Sequence, residues 1–224
     1  MPAPTYRTER EQIMATVREL DRRGLVSGSS GNVSMRLQPE GGNDRYLITP
    51  AGITYDELDE NGLVIVDGDL EPVDSEIVPS TESLLHLGIY RGRPDVNAIV
   101  HTHSLYASVA AVTCTHIPPI VDEMVVYIGG AIEVAEYGFP GTDELAAAGL
   151  EALGDRRAVI LRNHGMCAAA PTLKEALRVA ILVERVAQIF VHAETMGGAT
   201  ELPDYAIETE RQVYLMRSGL AGTD

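Results

Sequence analysis

Short apolar runs and segments of helical periodicity alternate along the chain, and this alternation limits the fold more than any other feature. Thr8–Gly24 puts Ile13, Met14, Val17 and Leu20 at helical spacing, with Gly24 suited to end the helix. Strand-like runs follow at Val33–Leu37, Arg45–Thr49 and Leu63–Val66, and Asp67-Gly68 marks a hairpin turn before Leu70. The pattern then repeats: helix over Thr81–Tyr90, strand over Asn97–His101, a helix of small residues over Leu105–Val112, strand over Ala131–Val134, helix over Thr142–Leu153 and strand over Arg157–Leu161. Met166–Ala170 reads as a core strand, Thr172–Thr195 as a long helix, and the charged tail from Pro203 to Asp224 as part helix. Asp74 and Glu76 read as solvated. Strands and helices mixed through 224 residues give an α/β or α+β class, expected as one domain over residues 1–224. Periodicity goes no further.

Composition removes several functions. No apolar run approaches the roughly 18 residues of a membrane span, and Met1–Arg10 lacks the apolar stretch of a signal peptide. Cys114 and Cys167 form no C-x-x-C pair, so a reduced, cytoplasmic setting is expected. Seventeen basic against 33 acidic side chains give a net charge of −16, which argues against nucleic acid as a partner. That charge still admits one small phosphorylated ligand, because exposed charges are screened beyond about 8–10 Å. Neither a P-loop nor a G-x-G-x-x-G fingerprint is present, so no nucleotide cofactor is indicated.

The strongest chemical signal is His101-Thr102-His103 at the end of a strand. Residues two apart on a strand face the same way, so both imidazoles can reach one cation. His164, in Arg162-Asn163-His164-Gly165, closes another apolar strand and is a third candidate ligand. Three protein ligands with room for water or substrate is the catalytic pattern of zinc. The alternative is a pair of ordinary surface or capping histidines, while His86, His116 and His192 lack such company and read as structural or exposed.

Three segments suit an oxyanion. Ser27–Asn32 is a loop of Gly and Ser whose backbone N–H groups can form a nest. Pro50-Ala51-Gly52 is a second. Ser80-Thr81 is a third, read as opening a helix, where unsatisfied N–H groups and the dipole favour anions. Each can equally be an ordinary turn or cap.

Taken together, Ser29–Arg36, Leu47–Gly52, Pro79–Glu82, Val100–Ser104 and Asn163–Gly165 resemble, in order, the motifs of the class II aldolase/adducin family, over roughly residues 10–195. The resemblance implies an αβα three-layer fold, with a mixed, largely antiparallel sheet flanked by helices. It implies a homotetramer with active sites at subunit interfaces, acting on a small sugar phosphate. It implies a divalent metal, usually Zn²⁺ with Mn²⁺ or Co²⁺ as substitutes, held by His101, His103, His164 and Glu82. Glu82 is also the implied acid/base, a role that needs a pKa within reach of neutrality, which burial or partial metal release can arrange. Ser29, Gly31, Asn32, Gly52, Ser80 and Thr81 are the implied phosphate contacts. The implied reaction cleaves a ketose 1-phosphate, fuculose-1-phosphate-like, to dihydroxyacetone phosphate and an aldehyde through a metal-stabilised enediolate.

Two departures stand out. Ala51 replaces a hydroxyl residue of the phosphate site. Glu123, or Asp122, falls where some members carry a tyrosine supplied by the neighbouring subunit, so Glu123 is a candidate acid/base. Its alternative is a loop carboxylate at a subunit contact. The family's C-terminal tyrosine is not matched in register by Tyr205 or Tyr214. Other reactions in the same fold are dehydration of methylthioribulose phosphate, 4-epimerisation of ribulose phosphate and decarboxylation of an oxo-acid phosphate. A non-enzymic adducin-like interaction domain would not need the His and Glu set.

Overall fold

A computed structural model describes residues 6–38, 44–73 and 75–219. Asp74 and the last residues of the tail, 220–224, lie outside the described residues. In chain order the elements are α1 (Arg7–Arg22), β1 (Asn32–Arg36), β2 (Arg45–Ile48), β3 (Val64–Asp67), α2 (Ser83–Gly92), β4 (Ala98–Thr102) and α3 (Leu105–Thr113). Then come β5 (His116–Ile117), α4 (Asp122–Ile128), β6 (Ile132–Ala135), α5 (Asp143–Leu153), β7 (Ala158–Leu161), β8 (Gly165–Ala170), α6 (Leu173–Thr195) and α7 (Asp204–Ser218). A 3-10 turn at Glu60–Gly62 is capped by Asp59.

The eight strands form one sheet in the order β3-β2-β1-β4-β8-β7-β6-β5. Among the described residues, only β6 and β7 pair in parallel. Parallel neighbours need a crossover connection, and α5 supplies it. The sheet is buried on both faces because its central strands are apolar in both phases of their alternation. On β8, Met166, Ala168 and Ala170 join the core under α1, α3 and α6, while Cys167 and Ala169 join the core under α2 and α5. β4 divides likewise, with Ala98 and Val100 on one face and Ile99 on the other. This is the expected three-layer arrangement around a mixed, largely antiparallel sheet.

Helix boundaries follow local chemistry. Thr142 and Thr172 cap α5 and α6 by accepting N–H bonds from Leu145 and Glu175. Gly24, at φ +67°, follows α1 as expected. The hairpin turn after β3 forms, but the left-handed residue is Leu70, at φ +66°. Its geometry is set by Asp67, whose carboxylate accepts from the N–H groups of Asp69 and Glu71. Two elements were not expected: the two-residue β5, and α4, which was read as a loop. Asp122 and Glu123 therefore lie in the first turn of a helix. Among the described residues, no helix is long and apolar enough to cross a membrane.

Candidate metal centre

Asn32, His101 and Cys167 occupy one register row across β1, β4 and β8. Side chains opposite each other in a ladder share a face, so Asn32 and His101 point together toward α2. Glu82 arrives on that face from the residue preceding α2. His103 stands just beyond β4. His164 stands in the three-residue turn joining β7 to β8, where Asn163 adopts φ +56°. Gly165 allows the turn to close on the site, since a Cβ there would lie 2.4 Å from the Thr102 carbonyl and 2.9 Å from the His103 ring.

The four ligand atoms of Glu82, His101, His103 and His164 lie within 4.8 Å of one another. His101 Nε2 is 2.9 Å from His103 Nε2 and 3.1 Å from Glu82 Oε2, and His164 Nε2 is 2.9 Å from Glu82 Oε1. Second bonds orient the ligands. His101 Nδ1 lies 2.8 Å from the Met166 carbonyl, which can only accept. The network thus assigns the proton to Nδ1 and leaves Nε2 as a bare lone pair in the neutral ring. Asn32 Nδ2 donates to Glu82 Oε2 at 2.8 Å.

This donor set fits a divalent cation. Lone pairs crowd together, and Glu82 Oε1 is buried with no neighbour to bond it but the His164 ring. Ligands about 2.1 Å from one ion stand roughly 3.4 Å apart in a tetrahedron, close to the separations seen. Three imidazoles and a carboxylate suit zinc-like metals better than magnesium or calcium. Burial by itself would raise the pKa of Glu82. Protonated His101 and His164 rings facing it would outweigh that and hold the carboxyl below the usual range. Burial therefore does not by itself carry Glu82 toward neutrality.

Glu82, His103 and His164 form one part of the wall of an open cleft of roughly 390 Å³, and the three expected anion segments form another. Ser29, Gly31, Asn32, Gly52, Ser80 and Thr81 all line it, while His101 lies fully buried behind. Gly31, at φ +75°, brings its backbone against β4, since a Cβ there would lie 2.6 Å from the His101 carbonyl. Tyr55 braces the same loop by donating from its hydroxyl to the Gly31 carbonyl at 2.7 Å. Burial first, with the Glu82 charge adding, keeps that phenol protonated.

Some expected contacts carry other duties. The Asn32 amide is engaged by Glu82. The Ser80 hydroxyl accepts from Glu82 N–H, and the Ser80 N–H donates to the Thr49 carbonyl. Ser80-Thr81 does not open the helix; α2 begins at Ser83. Ala51 N–H donates to the Val78 carbonyl. The N–H groups of Gly31, Gly52 and Thr81 have no hydrogen-bond partner among the described residues.

Glu123 is not in this cleft; it is exposed on α4, with Oε2 3.3 Å from Arg185. Tyr214 is buried and donates to the Asp155 carbonyl, while Tyr205 is exposed on α7. His86 is buried against Ser34, and His116 is exposed, as read from the sequence. Sequence reading missed Tyr55, the Met166 carbonyl and Pro140, which lines the cleft. Only Pro140 left a signal, the turn-rich run Gly138-Phe139-Pro140-Gly141.

Residues 11–191 match the Class II Aldolase and Adducin N-terminal domain. The 5-deoxy-D-ribulose 1-phosphate aldolase of Bacillus thuringiensis is 38% identical over 200 residues, 89% of this chain and 92% of that protein. The L-fuculose phosphate aldolase of Escherichia coli is 37% identical over 180 residues, 80% of this chain and 81% of that one. Among solved structures, an L-fuculose 1-phosphate aldolase matches with a TM-score of 0.86 at 33% identity, covering 93% of this chain and 96% of that one.

Proposed function

The chain belongs to the class II aldolase and adducin family, and within it we propose a zinc-dependent aldolase that cleaves a ketose 1-phosphate to dihydroxyacetone phosphate and an aldehyde. One observation carries this reading: Glu82, His103 and His164 share a single cleft with the free N–H groups of Gly31, Gly52 and Thr81. A sugar phosphate presents both an anionic end and neighbouring carbonyl and hydroxyl oxygens, so it can use both walls at once.

The N–H groups of Gly31, Gly52 and Thr81, with the hydroxyls of Ser29 and Thr81, hold the phosphate on C1. A divalent ion on the three histidines and Glu82 would supply Lewis acidity to the oxygens on C2 and C3. Cleavage breaks the C3–C4 bond. The proton of the C4 hydroxyl leaves as that oxygen becomes the aldehyde, and the electron pair left on C3 is protonated. Glu82 moves the proton at C3. As an ionised carboxylate it is ready to accept one in the condensation direction. Glu123 of a neighbouring subunit in a homotetramer takes the proton from the C4 oxygen.

The test is a panel of ketose 1-phosphates that includes fuculose 1-phosphate and 5-deoxyribulose 1-phosphate, with released dihydroxyacetone phosphate as the readout. Stoichiometric release, dependent on a divalent cation, is expected. An epimerised, dehydrated or decarboxylated product in its place overturns the aldolase reading. Glu123→Gln is expected to slow turnover, and undiminished turnover removes Glu123 from the mechanism.

A further inference from the structure

His103 is held differently from its three companions. Glu82 is gripped by Asn32, His101 lies within a central strand, and His164 sits in a tight hairpin turn. His103 stands on the two-residue link between β4 and α3 and is the most exposed of the four. Its own segment does little to fix it. Ser104 occupies the N-cap position of α3, yet its side chain caps nothing.

The cap comes from far along the chain. Glu184, on α6, accepts the Tyr106 N–H at Oε1 and the Ala107 N–H at Oε2, both at 2.9 Å. Two unsatisfied donors of the first turn of α3 thus end on one carboxylate, whose charge also suits the positive end of the helix. His192 of the same α6 reaches α3 again, with Nε2 3.4 Å from the Tyr106 hydroxyl. Beside and between these points α6 is seated in the core by Val183, Val186 and Ala187. The start of α3 is therefore placed by α6, and His103 lies two residues before that start.

We propose that Glu184 is a positioning residue for the metal centre: its two-pronged grip on the start of α3 keeps His103 within reach of the other three ligands. Glu184 acts through His103 and itself contacts neither cation nor substrate. The inference rests on reading Glu82, His101, His103 and His164 as a metal centre.

The test measures zinc affinity of the full chain by competition with a chromophoric chelator, without substrate. Glu184→Gln keeps the shape of the side chain but has one acceptor in place of two. Zinc binding is expected to weaken about tenfold, and by up to about 100-fold in Glu184→Ala, the range typical when support of a ligand is removed. Thr172→Ala is the control. It removes the cap at the far end of α6 and should lower the melting temperature while leaving zinc affinity unchanged. Parent-like zinc binding in Glu184→Gln overturns the proposal, as does an equal loss of zinc in Thr172→Ala. If Glu184→Ala does not fold, Glu184→Gln decides alone. A parent protein that takes up no divalent cation sinks the metal reading and this inference together. A parent that binds zinc beside an unaffected Glu184→Gln sinks this inference only.

Discussion

The two walls of the cleft are built by opposite rules. On one wall, side chains from the sheet and its margins converge, and two of the four are oriented by a second bond: Asn32 to Glu82, the Met166 carbonyl to His101. On the other wall the backbone does the work, through loops whose bends need the left-handed geometry of Gly28, Gly31 and Gly52. Side chains can be aimed with tight geometry where a strand or helix carries them. Backbone N–H groups suit a ligand group that is negatively charged and tolerant of rotation, as a phosphate is. The difference shows how one site can hold a ligand at both ends while demanding close geometry at only one of them.

That comparison can be broken most severely from the metal wall. His164→Ala removes one ligand and leaves the anion loops untouched. Loss of several kcal/mol of charge stabilisation corresponds to about 10³-fold in rate. We expect that loss in turnover with retained, weaker binding of dihydroxyacetone phosphate, measured by steady-state kinetics and calorimetry. Gly31→Ala strikes the seam between the walls, because its Cβ would press on the His101 carbonyl at 2.6 Å while φ stays at +75°. A left-handed alanine costs about 1–2 kcal/mol before any clash, so thermal melts should fall by at least about 2 °C. Metal and phosphate binding should both suffer. Tyr55→Phe is the mildest and sharpest cut. It removes the bond to the Gly31 carbonyl, worth about 1 kcal/mol. KM for a phosphorylated substrate should rise several-fold with zinc affinity unchanged. If zinc affinity fell in step with KM, the two walls would not be separable.

How far the molecule could be read from its sequence depended on how local each cause is. His101 and His103 were legible as partners because strand alternation is a rule over two residues, and their Nε2 atoms do meet at 2.9 Å. Most helices were legible from apolar spacing. The seven-residue α4 was not, since it is shorter than the window in which periodicity emerges and follows Pro118-Pro119. It is stabilised by packing of Met124, Val125 and Ile128 into the core. The order of strands and the grip of Asn32 on Glu82, 50 residues away, depend on pairings that no local pattern encodes.

The ligands at residues 82, 101, 103 and 164 come from separate stretches of chain, and they meet only after β4 has paired with β1 and β8. During synthesis the set cannot be completed until β8, which follows His164, has been made. A cation that recognises this arrangement cannot bind it in the unfolded chain. Loading therefore follows folding, and by mass action each tenfold rise in free cation above its dissociation constant adds about 1.4 kcal/mol to the native state. Cellular metal supply would then act on how long the protein persists as well as on how fast it works.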